Sequence, residues 1–214
     1  MNLRQKLLWG GLFALALGYF EAAVVVYLRE LYYPGGFAFP LREMPARLLA
    51  TELCREAASI LILAAGGYLL GKRFISRFAG FAFGFGVWDL SYYAFLKLLL
   101  DWPPSLGTWD LLCLIPMPWV GPVWAPMGVS LGLIGAAVII WSLENKGIEL
   151  RVRWWEWALE GFAGALTIVS FLARAPVVMA RTQPFGYPWW LWLIGMMLGV
   201  GLFAACVHRN LKTR

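Results

Sequence analysis

An all-α, polytopic membrane protein is the fold class this sequence predicts: six transmembrane helices with a Pro/Trp-rich cap on the non-cytoplasmic side. Three observations predict it. Hydrophobic residues make up 61% of the 214-residue chain and charged ones only 14%, against roughly 25% charged in a soluble domain. The apolar residues fall in runs of about 20, the length a helix needs to cross a bilayer. Lys and Arg stand at the ends of those runs, where they act as topology signals. Six spans leave no room for a soluble domain, so residues 1–214 read as one bundle.

The first span is expected near residues 7–28 and carries Glu21. The opening MNLRQK followed by an apolar run has the form of a signal peptide with Ala14-Leu15-Ala16 as its cleavage site, but the run continues to Leu28, which favours a retained span. A connection, RELYYPGGFAFPLREMPAR, leads to a second span near 48–71 with Glu52, Arg55 and Glu56 inside it. The third, near 78–100, holds Asp89, Tyr92, Tyr93 and Lys97.

Residues 101–125 make the longest connection, rich in Pro and Trp. The apolar stretch from Leu111 to Leu143 exceeds one span at about 1.5 Å per residue, and Pro116, Pro118, Pro122 and Pro126 break its first half. A short helix begun near Thr108 and a partly re-entrant segment are therefore expected, because irregular backbone at membrane depth must be buried in protein or line a wet cavity. The remaining spans fall near 126–143, 154–173 and 188–207. Small residues spaced for close helix approach, as in Gly67-x3-Gly71 and Gly195-x3-Gly199, read as ordinary packing.

Loop charge sets the direction. With a cytoplasmic N-terminus, the inner side holds Arg4, Lys6, Lys72, Arg73, Arg77, Lys146, Arg151, Arg153, Arg209, Lys212 and Arg214. The outer side keeps the smaller set, Arg29, Arg42, Arg47, Lys97, Arg174 and Arg181. The positive-inside rule thus places both termini in the cytoplasm and the chain in the cell membrane, plasma or inner, as a multi-pass protein. Trp residues collect at both predicted interfaces, and only Trp88 is buried in mid-span, next to Asp89.

Several functions are excluded. Cys54, Cys113 and Cys206 form no CxxC pair or metal-ligand spacing, and the lone His208 lies in a basic tail, so no cofactor is expected. The net charge of +6 belongs to topology rather than to nucleic acid. No nucleophile elbow, HExxH, phosphate loop or dinucleotide fingerprint is present, and no catalytic residue is assigned.

The intramembrane carboxylates are what remains, and such groups are costly enough to mark function. Glu21, Arg55, Glu56, Tyr92 and Tyr93 lie about 10–12 Å below the predicted outer edge and Asp89 about 16 Å. Helical spacing puts Glu52, Arg55 and Glu56 on one face and Asp89, Tyr93 and Lys97 on another. Arg55, always charged, is expected to fork to Glu21, Glu52 or Glu56. Glu52 is expected to be a solvated acid near a helix start, and Lys97 to snorkel outward. Glu156 and Glu160 repeat the Glu52/Glu56 spacing and read as interfacial acids beside Arg151 and Arg153.

The expected function is transport or binding, with an outer-leaflet cavity built by Glu21, Arg55, Glu56, Asp89, Tyr92 and Tyr93 for protons, a cation or a small polar solute. Glu52 and Lys97 are secondary members, and whether a metal ion is held is left open. The alternative is an accessory subunit of a larger membrane complex, in which the same charges fix packing. An enzyme acting on lipid or quinone stands third.

Overall fold

The computed structural model describes residues 1–212; Arg214, counted above among the cytoplasmic charges, lies outside the described residues. Helices α1 (Leu3–Tyr32), α2 (Ala46–Leu70) and α3 (Phe74–Leu100) are followed by a hairpin of β1 (Trp109–Cys113) and β2 (Trp119–Pro122). Helices α4 (Trp124–Asn145), α5 (Trp154–Leu172), the short α6 (Ala175–Met179) and α7 (Trp189–Lys212) complete the chain.

Five segments are long and apolar enough to cross a membrane: α1, α2, α4, α7 and the stretch Trp154–Met179 that joins α5 to α6. The chain is therefore a multi-pass membrane protein by length and composition. Their outward residues agree, since Leu61 and Leu69 of α2 are 70% and 80% exposed, which only lipid makes favourable. Helix α3 falls outside this set because Asp89, Arg77, Lys97 and several Tyr and Gly residues dilute its apolar character. It is the centre of the bundle, packed against α1, α2 and α4.

Local chemistry sets the boundaries. Asn2 caps α1 by accepting from the Gln5 amide at 2.9 Å while the Gln5 side chain accepts from the Asn2 amide at 3.1 Å. The α1 stripe Gly10, Ala14, Gly18, Ala22 is buried at the i, i+4 spacing of one helix face. Gly18 is obligatory there, because a Cβ would stand 2.0 Å from Ser91 Oγ on α3. At Gly195 of α7 a Cβ would stand 2.4 Å from Thr167 Oγ1 on α5. These contacts give close helix approach without needing side-chain burial.

The expected short helix near Thr108 is corrected by the structure: the segment is an antiparallel hairpin pairing Trp109 with Pro122, Asp110 with Gly121 and Leu111 with Val120. Pro116, Pro118 and Pro122 lack the amide hydrogens a helix would need, while Trp, Leu and Val favour a pleated strand. The all-α class thus carries one small β element, which satisfies its own backbone groups between the helix ends.

Candidate functional site

The structure separates the predicted residues into three groups, all at the end of the bundle that carries the hairpin. In the first, Arg55 is the hub. Its guanidinium donates to Glu21 of α1 and, at 2.5 Å, to Glu52 three residues earlier on α2. Ser59 donates to the other Glu21 oxygen at 3.2 Å. Glu52, expected to be solvated, is instead buried, because the bundle wraps this turn of α2 and Arg55 neutralises it there.

Glu56 does not join that hub. It turns to the hairpin, where its carboxylate accepts from the Leu114 amide at 2.9 Å and from the Cys113 thiol at 3.3 Å. The carboxylate thus caps backbone at the tip of β1, outside the paired register. Burial pushes the Cys113 thiol up to about 12, so it stays protonated and can donate.

The third group is the most buried and was only half visible in the sequence. Tyr93 of α3 donates its hydroxyl to Asp110 of β1 at 3.1 Å. Asp110 also accepts from Arg29, the last-turn cation of α1, at 3.3 Å. The guanidinium of Arg29 lies 3.7 Å from the Trp102 ring and 4.7 Å from that of Phe37, so aromatic faces hold the cation where water is excluded. Arg29 is 7% exposed and Asp110 1%. Burial pushes the Asp110 carboxyl up to about 6, against the opposing pull of Arg29 and the Tyr93 hydrogen bond.

One turn deeper on α3, Asp89 accepts from Ser130 of α4 at 2.7 Å. Tyr92 packs its ring edge-on against Tyr93, centroids 5.0 Å apart. Lys97, expected on the Asp89 face, points away: it pairs with Asp101 at 2.6 Å on the exposed side, and this pairing lowers the Asp101 carboxyl. Lys97 stands four residues, about one turn, beyond Tyr93 and is half-exposed, the outward reach expected of it.

Three buried donors stand without acceptors among the described residues: Arg29 Nη1, Trp88 Nε1 and Trp119 Nε1. A cavity of about 180 Å³ lies beside Arg29, bounded by Glu30, Tyr33, Phe37 and Trp102 among others. A larger one of about 590 Å³ shares Tyr33 and Gly36 with it and reaches Arg42, Glu43 and Arg181. No group of His, Cys, Asp and Glu among the described residues has a metal-holding arrangement.

The opposite end, which carries both ends of the described chain, has its own pairs. Lys6 donates to Glu144 at 2.6 Å and to Ser76 at 2.9 Å, and Arg209 donates to Glu156 at 2.7 Å. These join α1 to α3 and α4, and α7 to α5.

Arg29 and Asp110 are the members sequence reading missed. Both were assigned to loops, and the only signal was that Trp109-Asp110 repeats the Trp88-Asp89 dipeptide. Comparisons with protein-family models, with curated proteins and with solved structures return no match for this chain.

Proposed function

We propose that the chain is a cell-membrane transport or binding protein of six spans, with both termini cytoplasmic and a site for protons, a cation or a small polar solute at the outer end. The basic residues Arg4, Lys72, Arg73, Arg77, Arg151 and Arg153 at the terminal end support the orientation. Helix α3 is the sixth span: its 27 residues reach about 40 Å at 1.5 Å each, and a helix wrapped by neighbours need not be apolar throughout.

The observation that carries the reading is the Arg29–Asp110–Tyr93 junction beside a cavity, with Asp89 one helical turn deeper. Two carboxyl groups, a phenol and a cation in one buried column are what a reversible binding site for a proton or small cation requires. A test is flux into liposomes holding the purified protein, read by an internal pH dye and by cation indicators. The parent is expected to carry protons or a cation, and Asp89→Asn and Asp110→Asn to lose the activity at least tenfold while remaining folded. A parent that neither carries nor binds any of these solutes, or variants as active as the parent, would overturn the reading.

A second reading, accessory subunit of a membrane complex, draws support from Arg55, which is engaged by two acids of its own chain as a packing device would be. An Arg55→Met, Glu21→Gln, Glu52→Gln variant that folds and keeps any solute activity assigns that group to architecture.

A further inference from the structure

Arg29 leaves part of its hydrogen-bonding capacity unused. Its Nη2 gives Asp110 one hydrogen bond of 3.3 Å, whereas a guanidinium can hold a carboxylate by two parallel bonds. Nη1 has no acceptor among the described residues, although the side chain is only 8% exposed. A buried donor left unmade is costly, most of all on a charged group, so an acceptor from outside the chain would stabilise this one. Trp88 and Trp119 also bury unpaired donors, but their indoles are neutral and border neither cavity.

Space lies beside the guanidinium. The cavity of about 180 Å³ sits between the end of α1, the connection to α2 and the end of α3, walled by Arg29, Tyr33, Phe37, Leu100 and Trp102 among others. A dry apolar cavity of about 150 Å³ holds benzene, so this volume suits one flat ring with a small polar head. The Tyr33 hydroxyl is fixed by accepting from the Arg42 amide at 2.7 Å, and the Trp102 and Phe37 rings lie 3.7 and 4.7 Å from the guanidinium. Phe37 is half-buried. A Cβ added at Gly35 or Gly36 before it would meet nothing within 4 Å, which leaves that segment room to shift when an acceptor enters.

Charge selects the occupant. Around this cavity and the larger one that adjoins it, Arg29 faces Asp110 and Arg181 is taken by Glu43, while Arg42 has no ion pair among the described residues. Glu30 borders the smaller cavity as well, but it is exposed, and water and salt screen it. A cation placed in the smaller cavity would stand against a buried guanidinium, whereas an anion accepts from Nη1. We infer that Arg29 anchors a binding site for a small organic anion, a carboxylate or phosphate on a flat apolar body, in this cavity. The inference rests on the reading of the hairpin end as a solute site and names the solute's class, leaving protons to the Asp89 and Asp110 carboxyls.

The test is titration calorimetry of the purified full-length protein in detergent, with benzoate, phenyl phosphate, benzamide and benzylamine as probes of similar shape and different charge. Benzoate and phenyl phosphate are expected to bind about tenfold more tightly than benzamide, and benzylamine more weakly still. Arg29→Lys keeps a cation for Asp110 but loses the planar fork, and should weaken benzoate about tenfold. Leu100→Trp narrows the cavity with Arg29 and Asp110 intact and should weaken it too; cooperative thermal unfolding shows that each variant is folded. Equal binding of benzoate and benzamide, tighter binding of benzylamine, or a benzoate affinity that neither folded variant changes would overturn the inference. Phosphatidic acid, added as about one tenth of the lipid in phosphatidylcholine nanodiscs, is expected not to compete with benzoate; competition would overturn the free-acid form by assigning the site to a lipid phosphate. Proton or cation flux that persists in a protein binding none of these anions overturns this inference alone, and loss of both overturns the solute-site reading beneath it.

Discussion

Arg29 stands in the last turn of α1 and Asp110 lies in β1, 81 residues later, yet their side chains meet at 3.3 Å with Tyr93 on the other carboxylate oxygen. The pair ties the first helix to the hairpin that roofs the third.

Removing one partner should therefore loosen the whole hairpin end of the bundle. Asp110→Leu leaves the Arg29 charge buried and unpaired and is expected to cost about 3–5 kcal/mol, read by denaturant unfolding in detergent. An Arg29→Met, Asp110→Leu double variant should recover most of that loss. A single variant as stable as the parent would show that the contact contributes nothing.

Acidity should act on the same residue. The Asp110 carboxyl, facing Arg29 from α1 and Tyr93, Tyr92 and Asp89 from α3, is raised from its ordinary 3.8 to about 6 by burial. A raised carboxyl favours the protonated folded state, so its contribution is full below about pH 4 and is lost as pH rises through about 6. The size is on the order of 3 kcal/mol at 1.36 kcal/mol per unit. Asp110→Asn should flatten the stability profile between pH 4 and 6; a profile with an unchanged slope would assign the transition to another group.

The Arg55 hub predicts a graded response. Arg55→Met strands Glu21 and Glu52 in partly buried positions and should cost about 3 kcal/mol. Adding Glu21→Gln and Glu52→Gln should restore thermal stability, because three neutral side chains replace three charges. Failure of the triple variant to recover would mean that the ion pairs hold the helices by more than charge balance.

Orientation is open to labelling. In a background without Cys54, Cys113 and Cys206, a cysteine placed at residues 35–38 or near Gly107 should react with an impermeant maleimide from outside the cell. One near Asn145 should not. The reverse pattern would invert the bundle and put the Asp110 column on the cytoplasmic face.

The order of helices was legible because it depends on local facts: the length of apolar runs, charges at their ends and prolines between them. The i, i+3 spacing of Glu52 and Arg55 put Glu52 among the three acids expected to pair with Arg55, since helix geometry alone sets that distance. The hairpin was not legible. Its strands are short and irregular, with the paired register shifting between Leu111 and Cys113, and a run of Pro and Trp reads as a broken helix until cross-strand partners are known.

By itself, then, the sequence determined a membrane bundle with acids inside its first three helices, because hydrophobic length and helical period are properties of neighbouring residues. Tertiary structure alone decided how those acids are used. It gave Arg55 to Glu21 and Glu52, turned Glu56 to the hairpin backbone, and set Asp110 between Arg29 and Tyr93. Each of these choices depends on which helix faces meet, and close approach at positions such as Gly18 and Gly195 fixes those faces across distances in the chain that no local pattern spans.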